Sequence, residues 1–316
     1  MTQTKMIIDA DTGIDDAIAI LYGLKSPKIQ MEGITTVFGN IAVEQATENT
    51  LRIVKLAGRE NEVPVSEGAS RPLTRELLGF STHVHGENGI GDVELPATSQ
   101  KKIDGPAADF IIRKAEELRG ELVIVAMGRL TNIAHALQKD PTLPSKVKHL
   151  YIMGGAVNVP GNVTPVSEAN IWGDPEAADL VIQSGMAITL VGLDVTMKTM
   201  LRQSHLDSLQ RLSKPENLPI ADFMNRSMQY YFDFYREVNA FRECAPMHDP
   251  LTVLIAVEPG VVRTQSMHLS VECEGKHCVG MTVADQRRKP SVGSPVQVCV
   301  DVDADQAIDL LLEVFI

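Results

Sequence analysis

The sequence of 316 residues predicts an α/β protein with a single open, mostly parallel central sheet and helices on both faces. Short, continuous apolar runs such as Leu122–Ala126 and 149–153 have the length and composition of strands that are buried on both faces. These runs alternate with helix-like stretches over the first two-thirds of the chain, as parallel strands with crossover helices do. Because no repeat or linker is visible, we expect one domain over 1–316.

The first half of the chain shows three strand-like runs, each followed by a helix-like run. In chain order we expect strands at 6–8, 29–38 and 122–126, and helices at 17–21, 43–56, 104–118 and 131–138. A long glycine-rich stretch, roughly 67–100, interrupts this alternation. Loops of that length inside a compact domain are usually functional or disordered.

The second half repeats the alternation and then changes character. In chain order we expect strands at 149–153, 187–191, 267–273, 279–284 and 296–301, and helices at 175–184 and 303–315. Residues 203–245 are rich in helix formers and aromatic residues, which predicts helices over one end of the sheet. We expect the strand at 296–301 to pair at a sheet edge.

Composition excludes several classes of partner. The net charge of −12 disfavours a nucleic-acid groove and an anionic membrane surface. The sequence shows no signal peptide and no apolar run of transmembrane length. Its four cysteines are few for this length, which indicates reduced thiols and a cytoplasmic protein.

Near the start of the chain, four aspartates fall within eight residues, at Asp9, Asp11, Asp15 and Asp16. They lie between a predicted strand and a predicted helix, where Gly13 would relax the turn. Carboxylates crowded at a strand end repel one another, so a bound divalent cation is the simplest compensation. Oxygen ligands favour calcium or magnesium. Capping of the helix would account for the last two aspartates only.

Polar residues recur where other buried strands end. These positions are Asn40, the run 127–132, the pair Gly154-Gly155 and the run 160–170. The carboxyl ends of parallel strands lie on one side of a sheet, so these residues are expected to converge with the aspartates. Each one alone is more typical of a turn.

Two histidine segments carry further chemistry. His83 and His85, in the long glycine-rich stretch, either bind a metal or belong to a solvated loop that stacks on a base. His248 precedes Asp249 and Pro250 at the start of an apolar run. His248 is a candidate acid near neutral pH, and Asp249 is either a helix cap or a ligand.

Taken together, these motifs resemble the calcium-dependent nucleoside hydrolase family, the inosine-uridine preferring N-ribohydrolases. In chain order the shared motifs are Asp9-x-Asp11-x-Gly13-x-Asp15-Asp16, residues 34–40, His85-Gly86-Glu87, residues 130–134, Met153-Gly154-Gly155, Glu168-Ala169-Asn170-Ile171, residues 174–178, residues 191–196, His248-Asp249-Pro250 and residues 280–285. They span nearly the whole chain in the family's order, which implies the family's Rossmann-like fold and the hydrolysis of ribonucleosides.

The resemblance implies a Ca²⁺ site held by Asp11, Asp16, Asp249 and the backbone carbonyl of Met127. Water and the ribose 2′- and 3′-hydroxyls would complete the coordination shell. Asp11 would also act as the general base on the calcium-bound water. The resemblance further suggests a homotetramer or a homodimer, with a small ribonucleoside as the only other partner.

The same resemblance assigns residues to the ribose. Asp15, Asn40 and Asn170 would hold the ribose hydroxyls, while Asn162 and Glu168 would bind the 5′-hydroxyl. Such contacts fit the chemistry, since nearby carboxylates stabilise an oxocarbenium-like ribosyl transition state.

A third set of residues would face the leaving base. His83 would line the base pocket, and His248 would protonate the leaving base. Tyr231 and Tyr235 lie four residues apart on a predicted helix, so they share a face and either contact the base or pack in the core.

One position departs from the family pattern. The family has Phe where this chain has Ala169, which leaves the nucleoside preference open. Trp172 either refills the space of the missing ring or packs in the core.

Two other functions compete with nucleoside hydrolysis. A magnesium-dependent aspartyl-phosphate phosphohydrolase also begins Asp-x-Asp after a strand, but that pattern requires Thr where this chain has Gly13. It would also leave His248 and Asp249 without a role. A catalytically inactive calcium- or nucleoside-binding module is the second alternative.

Overall fold

The computed structural model describes residues 3–316, in which a nine-stranded sheet and a small two-stranded sheet form. The strands are β1 (Thr4–Ala10), β2 (Ile29–Thr36), β3 (Val65–Glu67), β4 (Leu122–Ala126), β5 (Val147–Met153), β6 (Ile188–Val191), β7 (Met200–Arg202), β8 (Cys244–Pro246), β9 (Val262–Val271), β10 (Thr282–Asp285) and β11 (Ser294–Val302). The main sheet has the order β10-β9-β11-β6-β5-β4-β1-β2-β3, and β7 pairs with β8.

Most of the main sheet is parallel, as predicted. All pairs among β1 to β6 are parallel, and so is the pair of β11 with β6. Strand β9 runs antiparallel to both of its neighbours, β10 and β11. The parallel part places the carboxyl ends of β1, β2, β4, β5 and β6 along one edge of the sheet.

Helices cover both faces of this sheet. They are α1 (Ile14–Lys25), α2 (Val43–Leu56), α3 (Thr82–His85), α4 (Ala107–Glu117), α5 (Thr131–Lys139), α6 (Ala169–Gly173), α7 (Pro175–Ile182), α8 (Leu193–Thr196), α9 (Gln203–Leu212), α10 (Leu218–Asn239), α11 (His248–Ile255) and α12 (Ala304–Glu313). None of these helices is both long and apolar enough to cross a lipid bilayer.

Alternation along β1 shows how one strand serves two cores. Met6 and Ile8 pack into a core with α1, α10, α11 and α12, while Ile7 packs into a second core with α4, α5 and α7. All three side chains are fully buried. Successive side chains of a strand point to opposite faces, so a continuous apolar run is what a doubly covered sheet requires.

One prediction about the sheet is wrong. The strand predicted at 296–301 does not lie at an edge, because β11 is bounded by β6 on one side and β9 on the other. The edge is β10. Val296 and Val298 of β11 are buried, as expected of an interior strand.

Several element boundaries also differ from the predictions. The strand predicted to reach Phe38 ends at Thr36, and the backbone then turns so that Phe38 N donates to Ala69 O. The helix predicted from 104 starts at Ala107, because Pro106 occupies the N-cap position. The glycine-rich stretch contains the short helix α3 and otherwise only turns and irregular chain from 68 to 100.

Candidate active site

The site is centred on the turn between β1 and α1. Gly13 is the N-cap residue of α1, with φ −91°. Any residue can adopt that angle. The prediction that the turn requires the backbone freedom of glycine is therefore wrong. A Cβ at Gly13 would instead lie 2.6 Å from His85 Nδ1 and 2.8 Å from Asn40 Nδ2, so glycine permits their close approach.

Four buried aspartates, Asp11, Asp15, Asp16 and Asp249, form what we call the acid cluster. The first three come from the end of β1 and the first turn of α1, and Asp249 comes from the first turn of α11. Carboxylate oxygens of Asp15, Asp16 and Asp249 lie within 4.8 Å of one another. In residues 3–316 this is the group of three or more His, Cys, Asp or Glu side chains with spacing suited to a metal ion.

Hydrogen bonds satisfy only part of the acid cluster. Asp16 Oδ2 accepts from Gly13 N at 2.8 Å and from Asn40 Nδ2 at 3.0 Å. Asp11 Oδ2 accepts from Asn40 N at 2.7 Å. The Oδ1 atoms of Asp11 and Asp16 are buried, and the described part of the chain offers them no hydrogen-bond partner. Buried oxygens without partners are costly, so their lone pairs are suited to a cation.

Burial shifts the ionisation of all four carboxyls in the same direction. It raises the pKa of Asp11 to about 6 and that of Asp15 to about 7. Burial, together with repulsion from neighbouring aspartates, raises the pKa values of Asp16 and Asp249 well above the usual range. Full ionisation near neutral pH therefore requires a compensating positive charge.

The residues that follow β4 approach the acid cluster. Met127 directly follows that strand, and Asn170 Nδ2 donates to Met127 O at 2.6 Å and to Met153 O at 3.2 Å. A Cβ at Gly128 would lie 3.0 Å from Asp11 Oδ1, which places the residue after Met127 against the cluster. The ends of β1, β4 and β5 and the starts of α1 and α11 thus converge, as the sequence predicted.

A cavity of about 750 Å³ opens above the acid cluster. It has the size of a small-molecule site. Every predicted substrate residue lines it, together with Met127, His248 and Asp249: Asp15, Asn40, His83, Asn162, Glu168, Asn170, Tyr231 and Tyr235. Asp11 and Asp16 lie beneath this surface.

The wall formed by residues 154–170 is held by Glu168. This buried side chain caps α6, and its carboxylate accepts from Asn170 N at 2.9 Å, Gly155 N at 3.0 Å and Ile171 N at 3.2 Å. Burial raises its pKa. Asn162 is exposed at the rim, where its Oδ1 accepts from Ala169 N at 3.0 Å.

Tyr231 and Tyr235, both on α10, contribute hydroxyls to the opposite side of the cavity. Tyr231 OH donates to Asp15 Oδ2 at 3.3 Å, and Tyr235 OH lies 2.8 Å from His248 Nε2. The two tyrosine rings meet edge to face with centroids 4.9 Å apart. Both rings therefore pack against each other and also line the cavity.

His248 is held by two hydroxyl groups. Its Nδ1 lies 2.7 Å from Thr196 Oγ1, and its Nε2 is paired with Tyr235 OH. Burial lowers the pKa of His248 to about 4, so the ring is neutral at pH 7. The prediction of an acid that titrates near neutral pH is therefore wrong for the histidine ring itself. The Tyr235 hydroxyl that pairs with His248 Nε2 also lines the cavity.

The two histidines of the His-x-His segment have different environments. His83 is exposed at the cavity, with its ring edge-on to Phe234 at 5.9 Å between centroids. His85 is buried, and its Nδ1 accepts from Ile14 N at 3.1 Å. Burial lowers the pKa of His85 to about 3. His85 therefore anchors the start of α1, and the pair does not form a metal site.

Trp172 does not line the cavity next to Ala169, so it does not refill the space of the missing ring. Ala169 lines the cavity, whereas Trp172 is half-buried and is not among the lining residues. The backbone of Trp172 packs against Gly280 instead.

Three residues that support the site received no individual role from the sequence, although each lies in a run that the sequence analysis singled out. Asn132 Nδ2 donates to Asp9 Oδ1 at 2.8 Å, Thr196 holds His248, and Arg129 lies buried near Asp11. The contacts of Asn132 and Thr196 are long-range, so no local pattern reveals them. Arg129 did carry a signal, because it is a basic residue directly after the end of a buried strand.

Comparison with known proteins finds similar sequences along nearly the whole chain. The sequence model of the family described as "Inosine-uridine preferring nucleoside hydrolase" matches residues 6–309. Uridine nucleosidase 1 of Arabidopsis thaliana is 40% identical over 312 residues, which cover 96% of this chain and 91% of that protein.

Two solved structures share the fold closely. A plant nucleoside hydrolase, the PpNRh1 enzyme, has a TM-score of 0.92 and 37% identity, and the match covers 99% of this chain and 98% of that one. A purine-preferring ribonucleoside hydrolase from Gardnerella vaginalis has a TM-score of 0.91 and 37% identity, with 98% of both chains covered.

Proposed function

The chain belongs to the inosine-uridine preferring nucleoside hydrolase family and is a ribonucleoside N-ribohydrolase, and on that premise we propose a calcium-dependent mechanism in which Asp11 is the general base. The observation that carries this proposal is the acid cluster beneath the cavity, with its buried and unpartnered oxygens on Asp11 and Asp16. The magnesium phosphohydrolase alternative is incompatible with this family membership.

The residues at the cluster fit a hard divalent cation. Asp11, Asp16 and Asp249 would supply carboxylate oxygens, and Met127 would supply its backbone carbonyl. Calcium accepts several oxygen ligands in irregular geometry, whereas magnesium requires near-octahedral order. When bound there, the cation would hold the ribose diol and lower the pKa of a water molecule. Asp15 belongs to the closest carboxylate group, so it would face both the ion and the sugar.

The ribose would lie on the lower wall of the cavity. Asp15, Asn40 and Asn170 offer carboxylate and amide groups to the 2′- and 3′-hydroxyls, and all three line the cavity. Asn162 and Glu168 lie on the neighbouring wall, where the 5′-hydroxyl would bind.

These side chains match the chemistry of N-glycosidic cleavage. As the bond to the base breaks, positive charge develops on the sugar, and the buried carboxylates of Asp11 and Asp15 stabilise it. Asp11 then accepts a proton from the attacking water.

Departure of the base requires a proton or a hydrogen bond, because the free base is a poor anionic leaving group. The Thr196–His248–Tyr235 hydrogen-bond chain ends at the cavity and provides that donor. His83 and Phe234, which pack edge to face, border the space for the base.

An assay with four ribonucleosides tests the proposal and also the inactive-module alternative. We expect release of reducing sugar from inosine, adenosine, uridine or cytidine, with activity lost after chelation and restored by Ca²⁺. Activity that persists after exhaustive chelation would overturn the role of the metal. No turnover of any of the four with Ca²⁺ present would favour a binding module.

A further inference from the structure

Arg129 is a buried charged residue that the proposed reaction does not use. It follows Gly128 directly after β4 and is only 8% exposed. Its Nε is fully buried and has no hydrogen-bond partner within residues 3–316. A buried guanidinium is costly unless neighbouring charges offset the loss of water, so its surroundings require an explanation.

The surroundings are shaped for a flat cation. Arg129 Cζ lies 4.6 Å from the centroid of the Phe38 ring, within the range of a cation–π contact. A Cβ at Gly173 would overlap Arg129 Nε and would lie 2.8 Å from Cζ. The glycine therefore makes room for the guanidinium, and the ring covers one of its faces.

Three carboxylates lie near enough to this guanidinium to stabilise its charge, although none forms an ion pair with it within residues 3–316. They are Asp11 after β1, Glu168 at the start of α6 and Asp174 at the start of α7. Two glycines allow the surroundings of Arg129 to pack closely against Asp11. They are Gly128, which precedes Arg129, and Gly39, which follows Phe38. A Cβ at either glycine would crowd the Asp11 carboxylate. Arg129 therefore lies in the segment that packs against Asp11, and it does not line the cavity.

We propose that Arg129 is an internal counter-charge for the acid cluster, which stabilises the metal-free protein and weakens the hold of the cluster on a divalent cation. The reason is electrostatic. A fixed positive charge offsets repulsion among buried carboxylates, and the same charge repels a cation that binds to those carboxylates. This inference rests on the proposed metal site.

The test compares the Ca²⁺ affinity and the stability of three variants with those of the wild type. Arg129→Met removes the charge and keeps the length, and Arg129→Lys keeps the charge. Arg75→Met is the matched control, because Arg75 pairs with Glu176 away from the cluster. We expect Arg129→Met to bind Ca²⁺ at least about fivefold more tightly in titration calorimetry at pH 8. Its melting temperature in chelator should fall, while both other variants keep wild-type affinity.

Three outcomes would contradict the proposed role of Arg129 or show where it fails. Wild-type or weaker Ca²⁺ affinity in Arg129→Met would overturn the proposal. If this variant is unfolded in chelator, Ca²⁺ should refold it, and a failure to refold would show that Arg129 serves packing alone. A wild type that binds no Ca²⁺ would overturn the proposed metal site, and this inference with it.

Discussion

The floor and the roof of the cavity are built on different principles. The floor is the acid cluster, whose four carboxylates are at most 4% exposed and lack a full set of hydrogen bonds. The roof is formed by α3 and α10, where aromatic rings and hydroxyls such as Tyr231 and Tyr235 pair with each other or with the site. At the rim Val238 is 55% exposed.

This difference suggests that the floor and the roof have separate functions. Unsatisfied charge in the floor is suited to a cation and to a positively charged transition state, so the floor would determine the reaction. A paired, partly exposed roof is suited to a leaving group of variable size, so the roof would determine which base departs.

The largest expected effect separates two aspartates near the end of β1. Asp11→Asn should lower kcat/KM at least about 10⁴-fold, since it removes the general base and a metal ligand together. Asp9→Asn is the control, because Asp9 Oδ1 is already bound by Thr35 and Asn132. We expect it to stay within about tenfold of wild type. If both variants lose kcat/KM equally in steady-state assays, Asp11 has no catalytic role that Asp9 lacks.

The next effect concerns the hydrogen bond between His248 and Tyr235 of the roof, and it depends on the leaving group. His248→Ala should slow hydrolysis of a natural nucleoside about 10²–10⁴-fold, the usual contribution of general acid catalysis. A p-nitrophenyl riboside leaves with little protonation, so its loss should be small. Tyr235→Phe breaks the same hydrogen-bond chain at its cavity end and should follow the same pattern. If both substrates slow equally, His248 is not part of the acid, and Tyr231 becomes the candidate.

A smaller effect tests the floor from the side of the substrate. A 2′-deoxynucleoside lacks the 2′-hydroxyl, so Asp15, Asn40 and Asn170 would lose part of their hydrogen bonding to the sugar. We expect kcat/KM for the ribonucleoside to exceed that for the deoxynucleoside by about 10²-fold or more. Comparable rates in the same assay would contradict the ribose assignment.

The smallest effect is on stability and depends on pH. Burial raises the pKa of Asp11 to about 6 and the pKa values of Asp9 and Asp15 to about 7, against 3.8 in the unfolded chain. A raised carboxyl pKa contributes stability that is present at low pH and is lost as pH rises through 6–7. In chelator we expect a melting temperature at least about 5 °C lower at pH 8 than at pH 5.5. With saturating Ca²⁺ the difference should shrink, and a chelated protein that is more stable at pH 8 would contradict this.

How much of the site the sequence predicts differs between the two regions. The floor was largely predictable, because its aspartates lie in one short segment and strand ends of a parallel sheet converge. The roof was predictable only as a shared face, since Tyr231 and Tyr235 are four residues apart. Their partners, His248 and Asp15, depend on tertiary packing that no local pattern encodes.

Contacts between distant segments explain the remaining errors. Gly13 is required by the approach of His85, a residue 72 positions away, and not by its own backbone angle. The interior position of β11 depends on β9 pairing outside it, which the apolar pattern of β11 alone cannot show. Arg129 was visible in the sequence, but its function depends on the carboxylates that the fold places around it.

The most direct test of the central claim is a crystal structure of the protein grown with Ca²⁺. We predict one ion at about 2.3–2.6 Å from carboxylate oxygens of Asp11, Asp16 and Asp249 and from the carbonyl oxygen of Met127. The Oδ1 atoms of Asp11 and Asp16, which now lack partners, should be among its ligands. An ion bound elsewhere, a site that stays empty at saturating Ca²⁺, or a tetrahedral shell of nitrogen and sulfur ligands would contradict the account.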